Sequence, residues 1–524
     1  MTRLCVPLFV ADFTQAKRDI AAAVEAGADV VELRIDDVNS AEDVRRLIGE
    51  FDLPFILTCR PVWEGGHSTL SDERRLQLLS EINPHDDSVR IDFEHAAMKR
   101  TGSADVHNPV IVSAHDFGGR PDRLLNLFAE INDGPGEVTK LAWTARSIRD
   151  TLETFEILQN RQKPTIALCM GEAGLISRVL AKKFGAFLTF ASLRDESATA
   201  PGQVTIHDMK RLYRWDAINA STKVYGVVAS PVMHSLSPAI HNAGFEAVGH
   251  DGVYLPLLVN PGYESFKAFM ESFLAFEPLH LSGLSVTLPH KENALRYLKE
   301  KGAEVEDLAE RIGTVNTIVI ERASPSPGTP GEGRGEGLRL HGFNTDYAAI
   351  LDTITTALGI ERRGLAEKRI AVIGAGGTGR TAVAALAELG ATVVVYNRTF
   401  ERAQELAKEF DGRSGKVVAA RMEKLCDSCC HIFINTTSVG MHPKLDESPL
   451  GDRLPNFTPD TLVFDTIYNP METKLLKQAK AAGAKTVGGV EMFIRQAARQ
   501  FEAWTGKPAP LDLFRQVVEA RLSS

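Results

Sequence analysis

Two residues in the first half of the chain could carry out imine chemistry. Lys140 lies inside the apolar run VTKLAWTA, where a buried ammonium is unfavourable unless the amine is neutral or paired. Only a neutral amine attacks a ketone, so this position favours a Schiff-base lysine. His115 ends the run PVIVSAHDF and could shuttle protons near neutral pH. Taken singly, each residue also fits a structural interpretation: a lysine whose amine reaches solvent, and a hydrogen-bonded histidine.

A glycine-rich turn in the second half predicts a nucleotide site. Gly374, Gly376 and Gly379 form G-x-G-x-x-G between the strand-like RIAVI and a helical segment. Glycines there let the backbone approach a pyrophosphate, whose charge is met by the helix N-terminus. A purely structural tight turn is the alternative, and the flanking strand and helix favour the nucleotide interpretation.

The residues after the next apolar run indicate which dinucleotide is bound. An NAD enzyme usually has an acidic residue there for the ribose 2′-hydroxyl, whereas this chain has Asn397, Arg398 and Thr399. The Arg398 guanidinium could pair with an adenosine 2′-phosphate. A solvent-exposed arginine is the alternative, but the missing acid counts separately against NAD. The sequence therefore predicts NADP.

Several polar clusters surround this nucleotide unit. They contain hydroxyls, carboxamides, one lysine and one carboxylate, which together could envelop a small polyol acid. Lys291 and Asp346 suit proton exchange with a carbonyl oxygen while hydride moves to or from its carbon. Any one of the others alone fits a cap or a turn. The cluster members are Ser235, Ser237, Thr287, Lys291, Asn316, Asn344 and Asp346.

Lys140 and His115 must be positioned by the secondary structure around them, and the first half of the chain contains eight short apolar runs between residues 1 and about 221. They are apolar nearly throughout, as parallel strands covered on both faces are, and helical stretches separate them. Eight such units fit a (β/α)₈ barrel, whose chemistry lies at the carboxyl ends of the strands. Polar residues gather at those trailing ends: Glu32, Arg34, Arg60, Asp92, Glu94, His115 and Asp116.

The remainder of the chain predicts an α/β unit followed by half of a doubly wound fold. We expect a barrel over 1–220, a substrate-binding α/β domain over 221–350, and a Rossmann-type domain over 351–524. Helices at the C-terminal end are expected to return to the substrate domain. Residues 322–338 are rich in Pro, Gly and Ser and are predicted to form a disordered loop between two strands.

Composition narrows the classes of partner. The 524 residues are 44% hydrophobic and 24% charged, with a formal charge of −9, which argues against nucleic acid as a partner. No apolar run reaches membrane-spanning length, and the N-terminus reads better as a strand than as a signal peptide. The six cysteines are scattered, and the C-x-x-C at Cys426 and Cys429 is interpreted as apolar filling rather than a metal or redox pair. We expect a cytoplasmic protein without a metal, as a monomer or homodimer.

The first half resembles the type I 3-dehydroquinate dehydratase family. The motifs are E-L-R-x-D from Glu32, T-x-R-x-x-x-E-G-G from Thr58, S-x-H-D at His115, K-x-A at Lys140, S-R at Arg178 and A-P-G-Q ending at Gln203. The resemblance implies an imine at Lys140 and proton transfer by His115. It also implies that the following residues hold the substrate: Glu32, Arg34, Arg60, Arg178, Thr199 and Gln203.

The second half resembles the shikimate dehydrogenase family over almost all of residues 223–524. The motifs include H-S-x-S-P, V-T-x-P-H-K, V-N-T, N-T-D, G-A-G-G and N-R-T, with Ser285 where the family commonly has Asn. The resemblance implies that Lys291 is the acid/base residue, paired with Asp346. It implies shikimate contacts from Ser235, Ser237, Thr287, Asn316, Asp346, Tyr468 and Gln496. It implies NADP contacts from Gly374, Ala375, Gly376, Gly377, Thr378, Asn397, Arg398, Thr399, Thr466 and Gly489.

The two resemblances imply consecutive reactions: dehydration of 3-dehydroquinate to 3-dehydroshikimate, and reduction of that product to shikimate. Three alternatives remain open. One half could be catalytically inactive, the second half could act on quinate, or the second half could sense nucleotide without turnover. The hydroxyl pair Ser235 and Ser237 favours shikimate over quinate.

Overall fold

A computed structural model describes residues 1–38, 40–82, 88–102, 109–195, 202–322 and 337–523. Its strands form three separate sheets, two of them entirely parallel. No helix among the described residues is both long and apolar enough to cross a membrane.

The first sheet confirms the predicted barrel, with eight parallel strands that follow the eight apolar runs. Their order is β7-β6-β5-β4-β3-β2-β1-β8, and a hydrogen bond from Phe187 N to Thr165 O (2.8 Å) links the residue before β8 to the first residue of β7. The strands are β1 (Arg3–Phe9), β2 (Val30–Arg34), β3 (Phe55–Thr58), β4 (Val89–Glu94), β5 (Val110–Asp116), β6 (Val138–Thr144), β7 (Thr165–Met170) and β8 (Leu188–Phe190).

Helices cover the outside of this barrel, so the strands are buried on both faces and are apolar nearly throughout. Three of these helices begin at side-chain caps: Asp12 accepts from Gln15 N, Ser40 accepts from Asp43 N, and Thr205 accepts from Asp208 N. The helices are α1 (Phe13–Glu25), α2 (Ala41–Ile48), α3 (Asp72–Ile82), α4 (His95–Thr101), α5 (Leu124–Asn132), α6 (Asp150–Gln159), α7 (Leu175–Val179) and α8 (Ile206–Arg211).

The second sheet is mixed, in the order β10-β9-β11-β13-β14-β12. Strands β9, β10 and β11 run parallel, whereas β13 pairs antiparallel with both β11 and β14. Its strands are β9 (Lys223–Ala229), β10 (Gly252–Leu258), β11 (Leu281–Val286), β12 (Glu304–Val305), β13 (Thr317–Arg322) and β14 (Leu338–Phe343). Its helices are α9 (Ser237–Ala247), α10 (Tyr263–Ala275), α11 (Lys291–Glu300) and α12 (Asp307–Ile312). The predicted disorder of 322–338 concerns residues 323–336, which lie outside the described residues.

The third sheet is the doubly wound unit, parallel throughout in the order β17-β16-β15-β18-β19-β20. Helix α13 leads into it, and α17 and α18 pack against α9 beside the second sheet. The strands are β15 (Arg369–Ile373), β16 (Thr392–Tyr396), β17 (Lys416–Ala420), β18 (Ile432–Asn435), β19 (Leu462–Asp465) and β20 (Lys485–Val487). The helices are α13 (Asp346–Leu358), α14 (Gly377–Glu388), α15 (Phe400–Phe410), α16 (Lys474–Ala481), α17 (Gly489–Thr505) and α18 (Leu511–Ser523). The boundaries at 220/221 and 350/351 remain predictions.

The barrel and the second sheet share one apolar core. Phe155 of α6 stacks on Phe184 with ring centroids 4.2 Å apart, and Phe276, which follows α10, lies 6.3 Å from Phe155. Lys183 donates to the carbonyls of Ala220 (2.7 Å) and Thr222 (2.9 Å), where the chain leaves the barrel. The two halves are therefore packed against one another rather than joined by a free linker.

Candidate active sites

One cavity opens at the carboxyl end of the barrel strands. It collects side chains from β2, β5, β6, β7 and β8 and from the segment after β3, because parallel strands in a barrel all end at the same face. The predicted residues that line it are Glu32, Arg34, Arg60, His115, Lys140, Arg178 and Gln203. Thr199 lies outside the described residues.

Lys140 is buried and paired. Its Nζ lies 2.7 Å from Asp92 Oδ2 and 3.7 Å from Glu32 Oε1, and the Phe190 ring centroid is 4.6 Å away. Of the two conditions under which a lysine is tolerated in an apolar strand, the structure therefore meets the second. The amine points into the cavity between a carboxylate and an aromatic face.

His115 forms a dyad with Glu64. The Glu64 Oε1 atom accepts from the backbone N–H of His115 at 2.8 Å and lies 2.9 Å from Nδ1. Burial, with the positive charges of Arg60 and Lys140, lowers the pKa of His115 well below its ordinary value. A neutral imidazole oriented by a carboxylate can accept a proton at Nε2.

Burial also raises the pKa of Glu64 to about 7, although the Arg60 guanidinium opposes this shift. Glu64 therefore changes charge near neutral pH. The position of Glu64 was visible within the T-x-R-x-x-x-E-G-G motif, but no role was predicted for it. Its contact with His115 spans 51 positions of the chain and depends on how the segment after β3 folds over the cavity.

Arg178 is a buried cation facing this cavity, and burial lowers the pKa of its guanidinium to about 10. Its Nε and one terminal nitrogen have no hydrogen-bond partner among the described residues. Buried charges are normally paired, so such a guanidinium fits an anionic group of a ligand.

A second cavity lies between the second and third sheets. It is lined by all of the predicted shikimate residues: Ser235, Ser237, Thr287, Asn316, Asp346, Tyr468 and Gln496. Lys291 Nζ lies 2.5 Å from Asp346 Oδ2 and 3.1 Å from Thr378 Oγ1, which belongs to the glycine-rich turn. The lysine therefore connects the substrate side of the cavity with the nucleotide side.

Helix N-termini converge on this cavity. Ser237, Lys291, Asp346, Gly377 and Gly489 are each the first residue of a helix. Unpaired backbone N–H groups at those positions favour negative charge, including carboxylate and phosphate groups. The arrangement suits an anionic substrate beside a phosphate-bearing cofactor.

The glycine turn fits a dinucleotide. Gly374 has φ +111°, a conformation that glycine adopts readily, and a Cβ on Gly379 would lie 2.2 Å from the carbonyl oxygen of Gly374. A Cβ on Gly376 would meet nothing within 4 Å, which leaves space for a pyrophosphate against the backbone. The side chain of Asn397 accepts from Ala375 N at 3.2 Å, so the segment after β16 is held beside the turn.

The residues that were predicted to bind the 2′-phosphate of NADP are exposed. Arg398 and Thr399 are both exposed at the end of β16, and Arg398 forms no ion pair with any described residue. Thr466 lines the second cavity, and a Cβ on Gly489 would lie 2.3 Å from Thr466 O. These residues could hold NADP across the carboxyl edge of the third sheet.

Comparison with known proteins assigns both halves. Residues 4–220 match the family model described as type I 3-dehydroquinase. Residues 227–318 match the shikimate dehydrogenase substrate binding domain, 357–465 the shikimate / quinate 5-dehydrogenase, and 489–519 the shikimate 5′-dehydrogenase C-terminal domain. The chain is 37% identical over 539 residues to the chloroplastic bifunctional 3-dehydroquinate dehydratase/shikimate dehydrogenase of Arabidopsis thaliana, covering 98% of this chain and 84% of the relative.

This chain belongs to the bifunctional 3-dehydroquinate dehydratase/shikimate dehydrogenase family. Its second half is also 38% identical over 302 residues to shikimate dehydrogenase (NADP(+)) of Methanosarcina barkeri, covering 56% of this chain and 97% of the relative. A solved shikimate 5-dehydrogenase from Thermus thermophilus, in complex with NADP(H) and shikimate, is 32% identical. It covers 57% of this chain and 99% of that chain, with a TM-score of 0.45.

Sequence reasoning missed a set of hydrogen-bonded polar side chains in the dehydrogenase half, formed by Tyr254, Ser285 and Gln500. Tyr254 OH donates to Ser285 Oγ at 2.6 Å, and Ser285 Oγ donates to Gln500 Oε1 at 2.7 Å. Gln500 Nε2 in turn donates to Asn316 O at 3.2 Å and to Thr317 Oγ1 at 3.0 Å. Ser285, which stands where the family commonly has Asn, is thus satisfied by a tyrosine and a glutamine.

The described residues contain no group of three or more His, Cys, Asp or Glu side chains that could hold a metal ion. Cys426 and Cys429, the pair interpreted as filling, differ in environment. The Cys426 thiol donates to Arg453 O at 2.9 Å, whereas Cys429 is exposed. All six cysteines are free.

Proposed function

We propose that the chain dehydrates 3-dehydroquinate in the barrel and then reduces the product, 3-dehydroshikimate, to shikimate with NADPH in the second cavity. The observation that carries this proposal is that the two predicted sets of catalytic and substrate-binding side chains, apart from Thr199, each line their own cavity in one chain. Membership of the bifunctional family supports it independently.

In the barrel, Lys140 would form an imine with the substrate ketone. His115 would remove the adjacent C–H proton, with Glu64 orienting the ring through Nδ1, and would then protonate the departing hydroxyl. The iminium draws electrons from the developing carbanion. The guanidinium of Arg178 is placed to meet the substrate carboxylate.

In the second cavity, NADPH supplies the hydride that reduces the ketone carbon. Lys291 would donate a proton to the ketone oxygen, and Asp346 holds its ammonium at 2.5 Å. Hydroxyls from Ser235, Ser237 and Tyr468 line the same cavity and can donate to a carboxylate. The exposed Arg398 is free to pair with the 2′-phosphate of NADPH.

One coupled assay tests the proposal. The chain is given 3-dehydroquinate and NADPH, and product enone absorbance and NADPH oxidation are followed separately. Both signals are expected, dehydration first. Enone formation without NADPH oxidation would indicate that the second half is inactive. NADPH oxidation with added 3-dehydroshikimate, but no enone formation from 3-dehydroquinate, would indicate that the barrel is inactive. Nucleotide binding without turnover would indicate that the second half is a sensor.

Substrate selectivity of the second half is proposed as shikimate over quinate. The Ser235 and Ser237 hydroxyls line the cavity, and Ser285 is already bonded to Tyr254 and Gln500. The Ser285 hydroxyl has therefore already donated its proton and cannot donate to an additional hydroxyl on the ring. Comparing kcat/KM for the two acids with NADP decides between them.

We also propose a cytoplasmic location, because six free cysteines suit a reducing compartment. The assembly is proposed to be a monomer or a homodimer. Cell fractionation tests the first statement, and light scattering after size-exclusion chromatography tests the second.

A further inference from the structure

Buried side chains of alternating charge contact one another in succession, beginning at Lys140 in the barrel. Lys140 Nζ contacts Asp92 Oδ2 at 2.7 Å, and Asp92 Oδ1 contacts a terminal nitrogen of Arg60 at 2.7 Å. The Ser113 hydroxyl donates to the same Oδ1 at 2.6 Å. Asp92 is fully buried, so both of its oxygens are committed to partners inside the protein.

This series of ion pairs continues beyond Arg60. Glu94 accepts from Arg60 at 2.9 Å and from Arg75 at 2.7 Å, and Arg75 also donates to the carbonyl of Cys59 at 2.7 Å. The Cys59 carbonyl immediately precedes Arg60, so Arg75 fixes both the backbone and the ion-pair partner of that arginine. Arg60 is thereby held in place to share its charge between Asp92 and Glu94.

Asp92 is the carboxylate that contacts the reacting nitrogen. Glu32, the other acid nearby, is 3.7 Å from Lys140 Nζ and accepts from the Thr58 hydroxyl at 2.6 Å. Burial disfavours the charge on Asp92, but Arg60 and Lys140 outweigh it and hold its pKa well below the ordinary range. The carboxylate therefore stays ionised at neutral pH.

We propose that Asp92 is a further catalytic residue of the dehydratase half, the counter-ion that aims the Lys140 amine and faces the iminium formed on it. This inference rests on the proposed dehydratase function. The contact at 2.7 Å orients one N–H of the amine toward the carboxylate, which directs the lone pair away from Asp92 and toward the cavity.

The imine step balances around this carboxylate. The Lys140 ammonium gives up a proton, its lone pair forms a bond to the ketone carbon, and the carbonyl electron pair moves to oxygen, which takes up that proton. A second proton passes from nitrogen to the same oxygen, the carbon–oxygen bond breaks, water leaves, and the nitrogen lone pair completes the double bond. Three ammonium hydrogens become one on the iminium and two in water.

Nitrogen therefore carries one positive charge before and after the step. A fixed carboxylate stabilises both cations, and in a buried site that attraction is much stronger than in water. The charged and titratable groups that face Asp92 or Lys140 from the neighbouring strands and turns are Arg60, Glu32, Glu64, Glu94, His115 and Cys5.

The test uses the full chain, 3-dehydroquinate and borohydride, with covalent trapping at Lys140 measured by mass. Asp92→Asn keeps the shape and removes the charge; we expect trapping and dehydration to slow by about 100-fold. NADP-linked oxidation of shikimate by the same preparation reports folding and is expected to stay at the level of the unaltered chain. Ser113→Ala removes a hydrogen bond to Asp92 but leaves the Lys140 contact, and should slow trapping by no more than about threefold.

The pH profile separates an electrostatic role from a merely structural one. The charge of Asp92 helps to raise the pKa of Glu64, whose ionisation accompanies the rise in dehydration near neutral pH, so the rising limb of kcat/KM for Asp92→Asn should move to lower pH. Trapping at the unaltered rate with an unaltered profile overturns the inference. An unaltered chain that traps no substrate at all instead contradicts the proposed dehydratase function.

If Asp92→Asn loses shikimate oxidation as well, Asp92→Glu decides. It keeps the charge but cannot keep the 2.7 Å contact without moving the amine. Trapping slowed by about fivefold or more, with the pH profile retained, supports the inference. Trapping at the unaltered rate contradicts it.

Discussion

The two cavities of this chain differ in how many charged side chains surround them. The barrel cavity is surrounded by buried ion pairs: Lys140 with Asp92, and Arg60 with both Asp92 and Glu94. Of the residues that line the dehydrogenase cavity, all of them described, only Lys291 and Asp346 are charged, and hydroxyls and carboxamides supply the other polar contacts. The two halves therefore present very different electrostatic environments to substrates of similar size.

The difference follows from where each proposed reaction places its charge. An imine puts a lasting positive charge on a protein nitrogen, which needs a fixed counter-ion in a buried site. A hydride transfer creates negative charge on a substrate oxygen, which one proton donor can neutralise. Because both cavities share one chain, each activity is the reference for variants made in the other.

The largest effect is expected from Lys140→Ala. Loss of the amine removes the covalent step, and dehydration should fall by about 10⁴-fold or more, with no trapping by borohydride. NADP-linked shikimate oxidation should be retained, because Lys140 lies in the barrel and not in the second cavity. A Lys140→Ala chain that still dehydrates 3-dehydroquinate would show that this lysine was wrongly assigned.

The converse change is Lys291→Ala. It removes the proposed proton donor of the second cavity, and kcat for 3-dehydroshikimate reduction should fall by about 10²- to 10³-fold. Dehydration by the same preparation supplies the folding control. Equal losses in both activities would contradict the independence of the two sites.

The contrast between the halves was only partly accessible from sequence. The eight strands, Lys140, His115 and the glycine turn were predicted because periodicity and local context carry that information. The Asp92–Lys140 pair was not, although Asp92 was noted at a strand end. Its partner lies 48 positions away, and only closure of the barrel makes the two side chains adjacent.

The hydrogen-bonded set of Tyr254, Ser285 and Gln500 in the dehydrogenase half was also not predictable from sequence, because its members lie even further apart along the chain. Ser285 was recognised only as a departure from the family, whereas Gln500, which completes its hydrogen bonding, lies 215 positions away on α17. The return of α17 beside the second sheet was expected, but which of its residues faces β11 depends on helix rotation and packing. Motifs predicted residues that line each cavity, and the fold determined which side chains contact them.

A smaller effect is expected at the cofactor end. Arg398→Ser removes the guanidinium proposed for the 2′-phosphate and should raise KM for NADPH by about 10- to 100-fold, with kcat nearly unchanged. KM for NADH should change little, since NADH has no phosphate there. Thr399→Val, which removes a hydroxyl but no charge, is the matched comparison, and an equal rise for both nucleotides would contradict the proposed contact.

The smallest effect is expected from changing Glu64. It should alter the pH dependence of dehydration but not that of shikimate oxidation. As pH rises through about 7, Glu64 loses its proton, and the resulting carboxylate accepts more strongly from His115 Nδ1, so Nε2 becomes a better base. Dehydration by the unaltered chain should therefore increase between about pH 6 and pH 8. His115 stays neutral throughout this range because its pKa is well below 6.5.

Glu64→Gln removes that ionisation while keeping an acceptor for the histidine. We expect the maximal dehydration rate to fall by about tenfold and the step near pH 7 to disappear. The pH profile of shikimate oxidation, measured on the same preparation, should keep its shape, since Glu64 lines only the barrel cavity. Persistence of the step near pH 7 in the variant would assign that titration to another group and leave His115 without its proposed partner.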